Sequence, residues 1–288
     1  MNDPGIQIKE LPQLEKPLLI AGFDGWGNAL NISNGMVSYL IRQFKARSFA
    51  SLNPDMFYRY DEQRPRVVIE DGLLKTFTLP GGSFYAAVTD KNQSDIVILS
   101  ADELNLCWSH FVDLLFSLCR KLDVGTVITL GSMYDNVLHT DRIISGVAST
   151  REMVAQLQKH NVNTISYQGP SAIHSIIQSE GTKRGFKCFS LWSHCPYYLQ
   201  GTTHFGILSH LGGLIAQLGN FNLDTEHLDK NWVTLKEQIN TLIEGNRELQ
   251  TLITNLRKEK TKGSTVRLNG KDAGDEKIIN LQDFLDPK

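Results

Sequence analysis

Two short runs, DIVIL at 95–99 and TVITL at 126–130, are apolar on both of their alternating faces. A strand of that kind needs cover on each side, which an antiparallel sheet with one wet face does not provide and a helix-flanked parallel sheet does. The rest of the first 220 residues fits that demand. Apolar runs at 18–22, 66–70, 74–79, 85–88, 164–167 and 186–192 read as further strands. Helical periodicity fills 33–46, 102–122, 150–160, 171–180 and 203–218. The predicted fold class is α/β, a three-layer α/β/α sandwich with a mostly parallel central sheet over residues 17–220, preceded by an extension at 1–16. Within it, 55–88 carries Gly72 and the Gly81-Gly82 pair and reads as an antiparallel insertion.

Charge and composition narrow the partners. The formal net charge is −2, so no global field draws the chain to nucleic acid or to an anionic membrane. No window approaches the roughly 18 apolar residues of a membrane span, and the first residues carry no basic-then-apolar leader, so a cytoplasmic protein is expected. Cys107, Cys119, Cys188 and Cys195 form no CxxC pair; buried thiols are expected, with neither a zinc ribbon nor a disulfide framework.

After Phe221 the pattern changes. Leu228, Trp232, Leu235, Ile239, Leu242, Asn246, Leu249, Ile253 and Leu256 follow one another at alternating spacings of 4 and 3. That is a heptad seam with isoleucines and Trp232 at a, leucines at d and a single polar a-position, Asn246, and it predicts a helical, coiled-coil-like segment at 221–260. Self-association into a dimer or trimer through this seam stands beside a second reading, a helical hairpin packed on its own domain. Gly245 weakens a continuous helix and Ile243 and Leu252 widen the stripe beyond a narrow seam. Residues 261–288 read as a flexible tail with a short apolar end.

The turn GFDGWGNA, between the first buried strand and the first helix, occupies the place where backbone N–H groups and a helix N-terminus hold an anion. Its glycines, Gly22, Gly25 and Gly27, give GxxGxG, the reverse of a dinucleotide fingerprint, and no GK[ST] follows. Asn28 and Asn31 are candidate caps, and Trp26 needs either burial or a partner surface. Ser100-Ala101-Asp102-Glu103 has the form of a capping box, with Glu103 reaching back to the Ser100 N–H; Ser149-Thr150-Arg151-Glu152 repeats it. His139 follows a strand and loop, where a crevice residue would stand. No HExxH, GxSxG or metal-ligand histidine spacing occurs, so no catalytic residue, metal or cofactor is assigned.

Taken in order, GFDGWGNA, NPDMFYRY with QRPRVVIEDG, LPGGSFY, the Glu103 and Trp108 segment, VLHT, YQGPSAIHSII and SLWSHCPYYL resemble the PAC2 family, proteins related to proteasome assembly chaperones. The resemblance runs from about residue 18 to 215. It implies a phosphorylase-like α/β/α fold, self-association, action through protein–protein contact, and no enzymatic activity for most members. It carries Gly22, Gly25, Trp26 and Asn28 onto the family's first turn; Asp24, in the same turn, is a further candidate ligand or interface residue. Asp55, Tyr58, Arg64 and Pro65 match its second motif, Glu103 and Trp108 its third, His139 and Thr140 its fourth, and Tyr167, Gly169 and Pro170 its fifth. The chain departs from the family where Leu104 follows Glu103 and where Asp141-Arg142 follow Thr140. A small-molecule binder or enzyme, with the Gly22–Asn28 turn as anion site and Glu103 or His139 placing a nucleoside- or phosphate-like substrate, remains the alternative.

Overall fold

In the computed structural model, which describes residues 5–261, Leu18–Asp24 forms a strand, β2, buried along almost its whole length. Its side chains alternate between two cores. Leu18 and Ile20 face one, Leu19, Ala21 and Phe23 the other. The strand is therefore covered on both faces, as are β7 (Ile96–Asp102) and β8 (Thr126–Asp135), which hold the two diagnostic runs.

The remaining strands are β1 (Ile6–Ile8), β3 (Arg47–Leu52), β4 (Arg66–Glu70), β5 (Leu73–Thr78), β6 (Gly82–Ala87), β9 (Ile144–Ala148), β10 (Asn163–Thr164) and β11 (Lys187–Pro196). The helices are α1 (Ile32–Gln43), α2 (Pro54–Phe57), α3 (Trp108–Lys121), α4 (Arg151–Lys159), α5 (Ile173–Lys183), α6 (Phe205–Gly219), α7 (Glu226–Gly245) and α8 (Arg247–Thr261). Helices α2, α3 and α5 cover one face, and α1, α4 and α6 to α8 the other.

One nine-stranded sheet runs in the order β1-β3-β6-β7-β2-β8-β11-β9-β10. Its centre, β7-β2-β8-β11, is parallel. Outside that centre β1, β3 and β6 pair antiparallel, as do β11 and β9. The expected α/β/α sandwich is present, but the sheet is mixed and not mostly parallel. Of the antiparallel pairs in this sheet only β6–β7 is joined by a short link, residues 88–95, that turns the chain straight back; β3 meets β6 after the β4–β5 hairpin and β9 meets β11 after α4, β10 and α5, so longer returns set the other reversals. Residues 6–8, expected to precede the domain, add an edge strand to it. Of the four cysteines, Cys119, Cys188 and Cys195 are buried as expected, whereas Cys107 is exposed. Among the described residues, no helix is long and apolar enough to cross a membrane.

The heptad seam is not one helix. Asn246 has extended backbone (φ −126°, ψ 112°) and separates α7 from α8. Its Oδ1 accepts from the N–H groups of Glu248 and Leu249 at 2.9 and 3.2 Å, so the polar a-position serves as the N-cap of the second helix. The seam turns inward: Leu228, Leu235, Ile239, Ile253 and Leu256 join the core of the domain, Leu249 is buried, and Trp232 and Leu242 pack against that core. Trp232 is clamped by its own chain, with the Arg142 guanidinium 4.4 Å from its ring centroid and the His204 ring stacked at 4.5 Å. The hairpin reading of this segment describes the geometry, and the expected tail at 261–288 lies, save its first residue, outside the described residues.

Burial, with Arg142 beside it, pushes His204 down to about 3. Burial likewise lowers His139, His174 and His210. In the unfolded chain these rings titrate near ~6.5, so below that pH the unfolded state binds protons that the folded state refuses. Stability is accordingly full above pH ~6.5 and falls as the medium is acidified toward His204's folded value. Urea unfolding at pH 7 and pH 5 will show a lower midpoint at pH 5. His204→Asn will flatten that dependence, and a midpoint insensitive to pH would contradict the assignment.

Candidate functional site

β2 sits where the sheet order divides, with β7 hydrogen-bonded along one edge and β8 along the other, all three parallel. In open α/β sheets the crevice beyond the carboxyl ends of such strands is where ligands bind. Here that crevice is roofed by the GFDGWGNA turn. Gly22 is glycine because α1 crosses it closely: a Cβ there would lie 2.7 Å from Val37 Cγ1 and 2.8 Å from the Ser33 carbonyl. Ser33 Oγ accepts from the Phe23 N–H at 3.1 Å and donates to the Leu130 carbonyl at 2.5 Å, locking the first helical turn to two strands. Asn28 Nδ2 donates to Asp24 Oδ1 at 2.9 Å and to Asn31 Oδ1 at 3.0 Å, while its Oδ1 accepts from the Asn34 N–H at 3.3 Å. Asn28, and not Asn31, thus caps α1.

A carboxylate of the protein itself sits against the turn. The Glu103 carboxylate accepts from the Trp26 N–H at 3.1 Å through one oxygen and from the Ile173 N–H, the first residue of α5, at 2.9 Å through the other. Its own N–H donates to the Asp24 carbonyl at 2.6 Å. This corrects the capping-box expectation, since Ser100 to Asp102 belong to β7 and α3 begins only at Trp108, after a left-handed Cys107 (φ 56°). Glu103 does satisfy a helix N–H, but that of Ile173 in α5, 70 residues away. Gly25 is required beside it: φ is +153°, and a Cβ would come within 2.7 Å of Glu103 Cβ.

With its own N–H held by Glu103, Trp26 turns its indole to the outside. Trp26 is 66% exposed and lines an open groove of about 390 Å³ with Trp108, Glu62, Gln63, Glu103 and Ser171. Trp108 is fixed by its Nε1–H, which donates to the Leu104 carbonyl at 2.5 Å. The groove is rimmed by two tryptophans and two carboxylates, a surface unsuited to phosphate. Tyr167, Gly169 and Pro170 form the loop that leads into it. Tyr167 Oη donates to the Pro170 carbonyl at 2.8 Å and so tightens the approach to α5.

His139 does not belong to this groove. It is buried against α6 and α7, with Nδ1 2.9 Å from Tyr198 Oη and its carbonyl 2.9 Å from His204 Nε2. Gly22, Asp24, Gly25, Trp26, Asn28 and Glu103 are therefore gathered into one corner, and His139 is a tie on the opposite face of the sheet.

One constellation had no signal in the sequence. His194 places Nδ1 2.7 Å from Asp135 Oδ2 and Nε2 2.6 Å from Ser145 Oγ. Burial pushes the Asp135 carboxyl up, but the His194 bond outweighs it and holds the group below the usual carboxylate range. The order is that of a Ser-His-Asp relay. Ser145 and His194 are each only 1% exposed, however, so in this conformation no acyl group meets the hydroxyl. The relay stitches β9, β11 and β8 together across the sheet.

Replacing Glu103 tests the bridge. Glu103→Ala leaves the α5 N-terminus and the Trp26 N–H without their acceptor and is expected to cost about 1–2 kcal/mol in urea unfolding. Glu103→Gln, which keeps an acceptor oxygen, is expected to cost less. Wild-type stability in the alanine variant would contradict the bridging role.

The PAC2 family model matches residues 19–243. Among solved structures, a PAC2 family protein from Streptomyces avermitilis superposes with a TM-score of 0.73 at 23% identity, covering 82% of this chain and 99% of that one. A proteasome-assembly chaperone homologue from Mycobacterium tuberculosis gives a TM-score of 0.73 at 22% identity, with coverages of 82% and 99%. PbaB from Pyrococcus furiosus, an archaeal proteasome activator, gives 0.62 at 17% identity, with 82% and 97% covered. No curated protein matches the sequence. At these identities the superpositions establish the fold, and the family model establishes the kinship: the chain belongs to the PAC2 family.

Proposed function

We propose that the chain acts without catalysis, as a self-associating protein of the proteasome-assembly-chaperone type that binds protein partners. The names of its structural relatives, an assembly-chaperone homologue and a proteasome activator, support the partner class. The observation that carries the reading is the state of the strand-end crevice. Glu103 already accepts the Trp26 N–H of the turn and the first N–H of α5, and Trp26 is turned outward beside Trp108. An exposed tryptophan beside a half-buried one on a hydrogen-bonded corner is the chemistry of a protein–protein anchor. The rival reading, a nucleoside- or phosphate-binding enzyme, loses its anion seat to the same carboxylate.

Binding of the purified full chain to purified proteasome core α-subunits, followed by interferometry, tests the reading. Saturable binding is expected, weakened about tenfold or more by Trp26→Ala, as truncation of an aromatic hot spot does. Absence of binding, or a variant that binds as wild type, would contradict it. Reproducible thermal stabilisation by nucleosides with phosphate, abolished by Gly25→Val, would favour the rival.

A further inference from the structure

The hairpin of β4 and β5 leaves the main sheet and pairs with no third strand among the described residues. Every residue of both strands is exposed. Its register places Val67 and Ile69 opposite Phe77 and Leu74, which makes one face apolar, and these four side chains are 51 to 62% exposed. These four leave on the order of 400 Å² of apolar surface on one face, within the range of the largest patches on a monomer, and Val68 and Leu73 are exposed on the other face. A lone two-stranded hairpin is itself only marginally stable in water.

The two edges of the hairpin differ. On β5 the pairing shifts register, Val68 to Thr76 and then Ile69 to Leu74, so Lys75 is an extra residue in a bulge. A bulge carrying a lysine is a standard protection against further pairing. β4 has neither device. Its sequence RVVIE is regular, β-branched at its centre and oppositely charged at its ends. Laid antiparallel on a second copy of itself about Val68, it sets Arg66 against Glu70 and Glu70 against Arg66, with Val67 against Ile69 on the apolar face. Opposite charges directly across antiparallel strands stabilise the pairing.

We infer that the hairpin is an association arm, in which β4 adds edge to edge and antiparallel to β4 of a second copy of this chain, centred on Val68. This rests on the self-association proposed above and moves it from the C-terminal helices, whose seam is buried, to the arm.

The test uses the full chain. Light scattering is expected to give an oligomeric mass for wild type and a smaller one for Val68→Pro, with circular dichroism and thermal unfolding confirming that the variant folds. Arg66→Glu is expected to weaken association about tenfold by placing two like-charge pairs in the contact, and adding Glu70→Arg to the same chain restores it. In a Cys107→Ser background, Val68→Cys is expected to form an intermolecular disulfide on mild oxidation, because paired Cα atoms lie about 4.5–5.5 Å apart. Lys75→Cys on the protected edge is expected not to do so. An oligomeric wild type whose association survives Val68→Pro, or is not rescued by the charge swap, overturns the arm and leaves self-association standing. A wild type monomeric at every concentration overturns both.

Discussion

A single carboxylate organises the corner on which the functional reading depends. Glu103 leaves the end of β7, receives the N–H of the turn after β2 and the N–H that opens α5, and thereby joins three segments at the strand ends. Burying part of a charge at a helix N-terminus is favourable because the helix presents unpaired donors and the positive end of its dipole there. The same bond removes those donors from any external anion. The fold therefore keeps the strand-end crevice in which open α/β sheets seat ligands while using it to hold an internal acid beside an outward-facing tryptophan.

The opposite face of the sheet obeys a different constraint. Its helices carry the apolar seam that would otherwise demand a partner, and the break at Asn246 lets the seam fold back onto the body. The clamp of Arg142, Trp232 and His204 then fixes α7. The largest cluster of uncovered apolar side chains lies elsewhere, on the β4–β5 arm, and Trp26 stands exposed at the strand-end corner.

Much of this was legible in the sequence, and the failures have physical causes. DIVIL and TVITL identified central strands because two-sided burial leaves no alternation. β3, RSFASL, and β9, ISGVA, escaped because serine, alanine and glycine dilute the apolar signal in short strands whose place is set by neighbours. The helix start was misread at Asp102 because an acidic pair after serine has the same composition whether it caps a helix or ends a strand. The heptad holds as a pattern of burial, and of its two readings the packed hairpin matches the geometry: Gly245 and Asn246 together make a good break, and tertiary packing supplies the core that the seam needs. Gly25, Trp26 and Glu103 were identified as residues, but their bond spans 77 positions and no spacing rule reaches that far. The same holds for Ser145, His194 and Asp135.

The internally filled crevice is the central claim, and backbone amides report on it directly. In the 1H–15N spectrum of the full chain, the Trp26 and Ile173 amide signals are predicted to stay in place as inorganic phosphate is titrated to millimolar concentration, because Glu103 already accepts both bonds. A progressive, saturable movement of those two signals together would show that an external anion displaces the carboxylate, and would contradict the account.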